Sequence, residues 1–302
     1  MVFFLLAALT LLAVPATPAA AGPITINTAL PVSPGQIIIR GDAFVQRAGT
    51  GQMDQSFTAV ATPAVLVYGL TRDLALVAMG PVFVHKSDNL TTQMGRISRG
   101  SNGFGDLAFL ARYTLLESDH PGSTFRVAPF AGVQAPTGDD DRSDRFGTLP
   151  RPLQPGSRAW DPLLGSILTW QTLDWEFDTD AGYQFNTEAD GFQFGNVAFT
   201  DQSFQYRLWP RELGSGVPAF LYGVVESNLM WQDTSYASGW LEHSPGFNWF
   251  IDPGLQYVAQ RYIVEVAVQL PAFTQQLAGT PLKTRYAVIA GFRWNLFTPY
   301  HL

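Results

Sequence analysis

Residues 174–186 read DWEFDTDAGYQFN, and this stretch decides the fold class. Aromatic and small residues occupy its odd-numbered positions, whereas the even-numbered positions carry the carboxylates Asp174, Glu176, Asp178 and Asp180. An alternation with a period of two residues is typical of a β-strand whose two faces meet different surroundings. Carboxylates along one face need water or cations opposite them, because an unpaired buried charge is costly. The stretch therefore predicts a strand that separates an apolar phase from a wet interior.

The same alternation recurs along the chain, with no helical stretch between the segments that show it. It predicts about twelve strands, near residues 36–47, 55–68, 73–85, 103–116, 124–136, 158–171, 174–186, 198–209, 218–232, 246–257, 260–271 and 283–297. Connections of roughly 7, 17, 21, 11, 13 and 11 residues alternate with shorter ones of roughly 4, 7, 2, 8 and 2. Strict alternation of long and short connections is typical of a transmembrane barrel, in which every second turn is short and faces the periplasm. The sequence therefore predicts an all-β fold, a transmembrane antiparallel up-and-down β-barrel of about twelve strands.

The composition fits this class of protein. Charged residues make up 14% of the 302 residues, against roughly 25% in soluble domains, and no apolar run reaches the roughly 18 residues of a membrane-spanning helix. A net charge of −7 leaves no basic surface for a nucleic-acid partner. The chain has no cysteine, which excludes disulfides, thiol catalysis and thiolate metal sites.

The first residues are predicted to form a targeting segment. Residues 1–21 read as a signal peptide, with an apolar core too short to span a bilayer and three alanines before Gly22. No lysine or arginine precedes that core, and the first charge in the chain is Arg40. A buried N-terminal helix is the alternative.

The remaining chain divides into a short leading stretch, the barrel and a short end. Residues 22–35 carry no charge and include three prolines, which favours an N-terminal tail or a luminal plug over a ladder strand. The barrel is predicted to occupy residues 36–297. Residues 298–302 are predicted to be a C-terminal tail.

A set of charged side chains is predicted to line the lumen. In the last predicted strand, Arg285 and Arg293 alternate with aromatic and aliphatic residues, and an arginine facing lipid at the membrane midplane costs roughly 2–4 kcal/mol. The same argument places these residues inside: Arg40, Asp42, Arg112, Arg126, Asp178, Glu226, Asp252, Glu265, Arg285 and Arg293. They either coat a pore or pair with one another and fill the interior.

Several short motifs occur in an order and spacing that resemble a known family. They are YGLTR at residues 68–72, GFGDL at 103–107, RY at 112–113, APTGD at 135–139 and GS at 156–157. Together they resemble the phenol-degradation (MetA pathway) outer-membrane transporter family over residues 36–297. The resemblance implies a barrel in the outer membrane of a Gram-negative bacterium that passes small, often aromatic compounds inward. GFRWNL at 291–296 also resembles the signal read by the barrel-assembly machinery, although residues 298–302 follow it.

Other chemistry in the sequence is weaker. His85 and Ser87 share a strand face, so they could act as the base and nucleophile of a lipid or ester hydrolase at the rim of the barrel. A polar transition from strand to loop is favoured, because the motif is short and its continuation is absent. Asp139–Asp141 with Asp144 could hold Ca²⁺, but arginines interleave with these acids and a solvated loop is favoured. We therefore predict no catalytic residue, no metal site and no cofactor.

The second and third strands are predicted to form a weak lateral seam. Residues 55–68 and 74–83 contain no charge, and each segment carries a proline, Pro63 or Pro81, that removes a donor from the ladder. A turn centred near Leu70 and Thr71 would place Pro63 opposite about Ala78 and Pro81 opposite about Val60. Bulges that merely bend the barrel are the alternative.

The sequence therefore predicts an outer-membrane channel for passive uptake of small apolar or aromatic compounds. A barrel enzyme at the rim and a non-conducting structural or adhesion barrel are the alternatives. The predicted partners are outer-membrane lipid, lipopolysaccharide, a small hydrophobic solute and the barrel-assembly machinery, with no nucleic acid.

Overall fold

A computed structural model describes residues 22–49, 55–92, 95–212, 219–237, 240–242, 246–275 and 283–296. The predicted signal peptide and the predicted C-terminal tail lie outside these residues. Within the described ranges, no helix is both long enough and apolar enough to cross a membrane.

The described residues are almost entirely strands, joined by turns and one 3₁₀ turn at Arg151–Leu153. The strands are β1 (Ile37–Gly49), β2 (Gln55–Gly69), β3 (Leu74–Thr92), β4 (Gly95–Gly103), β5 (Leu107–Tyr113), β6 (Leu116–His120), β7 (Ser123–Ala135), β8 (Ser143–Asp144), β9 (Gly147–Thr148), β10 (Asp161–Thr172), β11 (Trp175–Gln184), β12 (Phe192–Gln193), β13 (Val197–Trp209), β14 (Ala219–Gln232), β15 (Ser235–Ala237), β16 (Trp240–Glu242), β17 (Gly246–Ala259), β18 (Tyr262–Gln275) and β19 (Lys283–Leu296).

Twelve of these strands pair antiparallel into a closed barrel, which confirms the predicted fold class. Around the barrel they run β1, β2, β3, β5, β7, β10, β11, β13, β14, β17, β18 and β19, and β19 pairs with β1 to close the circle. The short turns after β2, β6, β10 and β17 lie at one end, which we call the periplasmic end. The longer connections lie at the outer end.

The predicted strand at 103–116 is wrong in detail, because the structure divides it. β3 pairs with β4 through Val84–Thr92 and with β5 through Leu74–Met79, so both shorter strands share one long partner. Between them the chain leaves the ladder, and the Gly105 N–H donates to the Pro81 carbonyl at 3.0 Å. β6 then continues past Tyr113 as a separate strand paired with β7. The third strand is also longer than predicted, because β3 and β4 form a hairpin at the outer end.

The two faces of the barrel wall differ as the alternation predicted. On β18, Ile263, Glu265 and Ala267 are buried, while Val264 and Val266 between them are exposed. Exposed aromatic side chains lie close to the periplasmic end on several strands: Trp170, Trp209, Tyr257, Tyr262 and Trp294. Rows of aromatic residues at the membrane interfaces flank the apolar band of outer-membrane barrels. The outer surface of this barrel therefore suits lipid.

A long connection lies at the outer end of the barrel. Within residues 136–160, here called the cap loop, Leu149, Leu153 and Gln154 are buried. Lys86 of β3 donates to the carbonyls of Pro152 at 3.0 Å and Gln154 at 2.6 Å. The cap loop is therefore bonded directly to the wall.

Candidate functional site

The residues before β1 lie inside the barrel. Ile24 is fully buried in a cluster with Val224, Ala267 and Ile289, all of which point inward from β14, β18 and β19. Ala29 packs against Ala128 and Ile167 on β7 and β10. We call residues 22–34 the lumen segment, because it contacts opposite sides of the barrel wall.

Glu226 on β14 binds the lumen segment most closely. Its side chain is fully buried, and its carboxylate accepts hydrogen bonds from the backbone N–H of Ile24 at 2.7 Å and of Thr25 at 2.8 Å. The Thr25 hydroxyl donates to the same carboxylate. Further along the segment, Ala29 N–H donates to the Thr169 hydroxyl at 2.7 Å. These bonds satisfy backbone donors that would otherwise be orphaned inside the barrel.

Arginines of the wall satisfy the carbonyls of the same segment. Arg112 donates to the Leu30 carbonyl at 2.8 Å and also to Thr28, while Arg293 donates to the Pro23 carbonyl at 2.8 Å. Arg40 donates to the Ile24 carbonyl. A segment without charges of its own is thus held through its backbone by the charges of the wall.

The lumen segment leaves the barrel beside Gly69, at the start of a periplasmic turn. The Gly35 N–H donates to the Gly69 carbonyl at 2.7 Å, and the Gly69 N–H donates to the Gln36 carbonyl at 3.0 Å. A Cβ atom at Gly69 would lie 2.6 Å from the Val32 carbonyl oxygen, so a side chain there would displace the segment. The segment therefore enters the lumen from the periplasmic end.

The other predicted lumen residues divide into pairs and exceptions. Arg40 pairs with Asp42 at 2.9 Å and with Glu265 at 3.2 Å, and Arg293 pairs with Glu265 at 3.2 Å. Arg285 differs, because its side chain is exposed at an irregularity in the β1–β19 register that leaves Arg285 itself unpaired in the ladder. The sequence could not indicate that irregularity.

Arg126 is buried, but its partners lie toward the periplasmic end. It pairs with Glu117 at 3.1 Å and with Asp119 at 2.7 Å, both on β6. Hydrogen bonds from Arg126 and Thr124 hold the pKa of Asp119 well below its usual range. None of the acids predicted to oppose Arg126 pairs with it in the described residues.

Several buried carboxylates have no arginine partner among the described residues. Asp178 accepts from the Thr169 hydroxyl, and Asp252 accepts from Gln269 at 2.9 Å. Asp201 on β13 faces Asp180 across the ladder and was not among the predicted lumen residues. The signal was available, because Asp201 shares its strand face with Ser203 and Gln205. Arg207, which faces inward on β13, pairs with Asp174 at the periplasmic end, so the acids above it on this side of the lumen lack a basic partner among the described residues.

The wall is interrupted where the seam was predicted, but with a different register. Pro63 faces Pro81 directly, not Ala78 or Val60 as predicted. The prediction was wrong because the turn is closed by bonds from the Leu70 and Thr71 N–H groups to the Leu74 carbonyl, so its centre lies later in the chain.

A β-bulge follows the facing prolines. Ala61 faces Val84, so Thr62 alone opposes two consecutive residues, Val82 and Phe83, whose side chains are both exposed. On the other side of β2, Gly41 faces Ala64 and Phe44 faces Ala61 in the same register, but the two positions between them do not pair. Both ladders of β2 are thus interrupted at one height.

Cavities lie on both sides of this interruption. A groove of about 410 Å³ on the outer surface is lined by Thr62, Pro63 and Val82 together with the exposed residues Val264 and Phe292. A pocket of about 270 Å³ beneath the cap loop is lined by Pro81, Lys86 and the buried Gln154. The facing prolines therefore separate an internal pocket from a groove that faces lipid.

Asp106 ties the cap loop to the wall beside this pocket. Its carboxylate accepts from the backbone N–H of Gly138 at 2.8 Å and of Ser157 at 2.6 Å. Each hydrogen bond to a charged group contributes about 1.5–3 kcal/mol.

We expect Asp106→Ala to loosen the cap loop. Trypsin added to intact cells should then cleave the protein faster after Arg142 and Arg145. The control variant Asp141→Ala, which changes an exposed side chain of the same loop, should be cleaved at the wild-type rate. Equal rates for both variants would contradict this role of Asp106.

The candidate chemistry on the outer strands and loops has other partners. The Ser87 hydroxyl accepts from Asn89 at 3.3 Å, and no hydrogen bond joins Ser87 to His85 among the described residues. Asp139 pairs with Arg142 at 2.8 Å, and this arginine holds the pKa of Asp139 below its usual value. Asp144 pairs with Arg99 at 2.9 Å, which lowers its pKa in the same way. The described residues contain no acidic or histidine cluster suited to a metal ion.

A closed barrel of twelve antiparallel strands, with an apolar outer face and a polar filled lumen, is an outer-membrane β-barrel. The family model described as MetA-pathway of phenol degradation matches residues 40–278. The chain belongs to this family, which confirms the resemblance read from its motifs.

Solved structures of outer-membrane proteins are similar to this chain to different degrees. The COG4313 outer membrane channel from Pseudomonas putida F1 is 13% identical over 92% of this chain and 100% of its own, with a TM-score of 0.60. The beta domain of the Bordetella autotransporter BrkA is 11% identical over 87% and 100%, with a TM-score of 0.46. The CymD monoaromatic hydrocarbon channel is 10% identical over 90% of each chain, with a TM-score of 0.38. No curated protein matches the chain.

Proposed function

We propose that this barrel takes up small apolar or aromatic solutes passively across the outer membrane. In this proposal the solute enters beneath the cap loop and leaves sideways through the interrupted wall at Pro63 and Pro81. The observation that carries it is the pair of cavities on either side of these prolines, one internal and one open to lipid.

A direct path to the periplasm is obstructed by the lumen segment. Ile24 and Ala29 are fully buried, and the segment is bonded to opposite walls through Glu226 and Arg112. An apolar solute also gains nothing from a route lined by charged side chains, since these hold water.

A sideways path suits an apolar solute. Residues 55–68 and 74–83 carry no charge, so β2 and β3 themselves offer an uncharged surface at the interruption. Asp42 and Glu265, which pair with Arg40, lie at the opposite edge of the groove. Backbone groups left unpaired in lipid are costly, and a proline lacks the N–H that would need a partner. Facing prolines with a bulge therefore make an opening that costs less than a break in a regular ladder.

The proposal assigns no enzymatic activity, because the hydroxyl of Ser87 contacts Asn89 and not His85. It includes lipopolysaccharide as the neighbour of the outer loops and the barrel-assembly machinery as the reader of the last strand. Outer-loop acids such as Asp140 and Asp141 would meet the cations that bridge lipopolysaccharide.

The function is tested by uptake into intact cells. Cells that make the protein should accumulate radiolabelled toluene, supplied at low concentration, several times faster than cells that lack it, because lipopolysaccharide slows apolar solutes. The comparison with labelled glucose is the control for general leakiness. Equal toluene uptake with and without the protein would contradict the proposed function.

A further inference from the structure

A second internal cavity lies above the lumen segment. It has a volume of about 450 Å³ and lies between β1, β13, β14, β17, β18 and β19. Phe199, Met230 and Phe250 form its apolar walls, and Asp201, Asn228 and Gln269 supply polar groups. Asn228 also donates to the Thr25 hydroxyl at 2.9 Å, so the lumen segment lies directly below. The cavity is large enough for a small aromatic molecule.

The polar side chains that line this cavity offer many hydrogen-bond acceptors, and none of those described is basic. Its lining contains no lysine or arginine. Asp201 faces Asp180 across the ladder. Two neighbouring carboxylates stay charged together only when a cation lies between them, and otherwise one of them takes up a proton. Among the described arginines that face inward, Arg40, Arg112 and Arg293 are bonded to the lumen segment. Arg126 and Arg207 pair with Asp119 and Asp174 toward the periplasmic end.

Buried carboxylate oxygens beside the cavity, just outside its immediate lining, give a second sign that positive charge is missing here. In the described part of the chain, Oδ1 of Asp180 and Oδ1 of Asp252 are buried and have no hydrogen-bond partner. Both residues are at least nine-tenths buried. Asp252 bonds to Gln269, which lines the cavity, at 2.9 Å. Unpaired buried charge is costly, so these oxygens favour a ligand that brings a positive charge or donors.

We propose that this cavity binds a small organic cation, a protonated amine on an aromatic or short alkyl body. The ammonium group lies against Asp201, with Asp180 and Asp252 behind it. The apolar body packs against Met230 and the rings of Phe199 and Phe250, whose faces attract cations. An aromatic carboxylate of the same size is excluded, since it would meet the acidic wall. The inference goes beyond the proposed function, because it assigns a separate site for a cationic ligand, and it is measured by binding alone.

Titration calorimetry of the full-length protein in detergent, at neutral pH, tests this inference. Benzylammonium is expected to bind about tenfold or more tightly than the neutral benzyl alcohol, and benzoate should not bind. Asp201→Asn should weaken benzylammonium about tenfold and leave benzyl alcohol unchanged. Asp141→Asn, which removes the same charge from an exposed loop position, should bind benzylammonium as the wild type does.

Two results would overturn the inference. One is equal affinity for benzylammonium and benzyl alcohol, and the other is undiminished benzylammonium binding in Asp201→Asn. Should Asp201→Asn fail to fold, as judged by the heat-dependent gel mobility of barrels, Asp252→Asn takes its place with the same expectation. Toluene uptake by cells without binding of benzylammonium would sink this inference alone. Binding without toluene uptake would sink only the proposed function.

Discussion

Deletion of residues 23–34 is expected to raise the single-channel conductance of the barrel at least about fivefold, because twelve strands enclose more space than the eight that fill their own interior. The deletion removes the buried Ile24 and Ala29 and leaves Glu226, Arg112 and Arg293 facing a continuous aqueous path. The charged side chains that now form hydrogen bonds to the backbone of the lumen segment would then be hydrated. Planar-bilayer recordings of the purified protein give the measurement.

A second variant weakens the attachment of the lumen segment without removing the segment. Glu226→Gln keeps the size of the side chain but removes the charge that three hydrogen bonds of the lumen segment use. It should give brief openings to the conductance of the deletion variant, with the closed level unchanged. Asp141→Asn is the matched control, since it removes one carboxylate outside the lumen. A deletion variant with wild-type conductance would show that residues 22–34 do not obstruct the lumen in solution.

Toluene uptake should respond differently from conductance. If the solute leaves sideways at Pro63 and Pro81, the deletion should change the uptake of an apolar solute little while it raises the passage of ions. Toluene uptake therefore reports on the interrupted wall, and conductance reports on the lumen segment.

The strand order and the inward faces could be predicted from the sequence because the period of two residues depends on local surroundings alone. Residues 174–186 show this clearly, since Glu176, Asp178 and Asp180 are buried while the residues between them are less so. The closed ring of twelve strands followed from the alternation of loop lengths. The alternation of residues and the alternation of loop lengths both repeat along the chain. The error in the predicted strand at 103–116 therefore did not change the predicted fold class.

The path of residues 22–34 could not be predicted, because an uncharged segment with prolines fits a free tail and a plug equally well. Its course depends on distant partners such as Glu226 and Arg112, which no local pattern connects to it. The register at Pro63 failed for a related reason. The turn between Gly69 and Leu74 sets every facing pair as far as the two prolines, and its position has no strong signal in this sequence.

The sideways exit is the central claim, and a disulfide across the interrupted wall tests it. The chain has no cysteine, so an introduced pair is unique. Ala61 faces Val84 at the outer edge of the bulge, and facing residues in an antiparallel ladder have the Cα separation of about 4.5–5.5 Å that a disulfide needs. Ala61→Cys with Val84→Cys therefore fixes β2 to β3 beside the opening. Val67→Cys with Val77→Cys is the control, because these residues face each other where the ladder is regular.

The decisive measurement is the uptake of labelled toluene by cells that carry each oxidised pair. The account predicts that the Ala61–Val84 disulfide lowers uptake to the level of cells without the protein and that a reducing agent restores it. The Val67–Val77 disulfide should leave uptake unchanged. Wild-type uptake with the Ala61–Val84 disulfide fully formed would contradict the sideways exit and leave a path along the axis of the barrel.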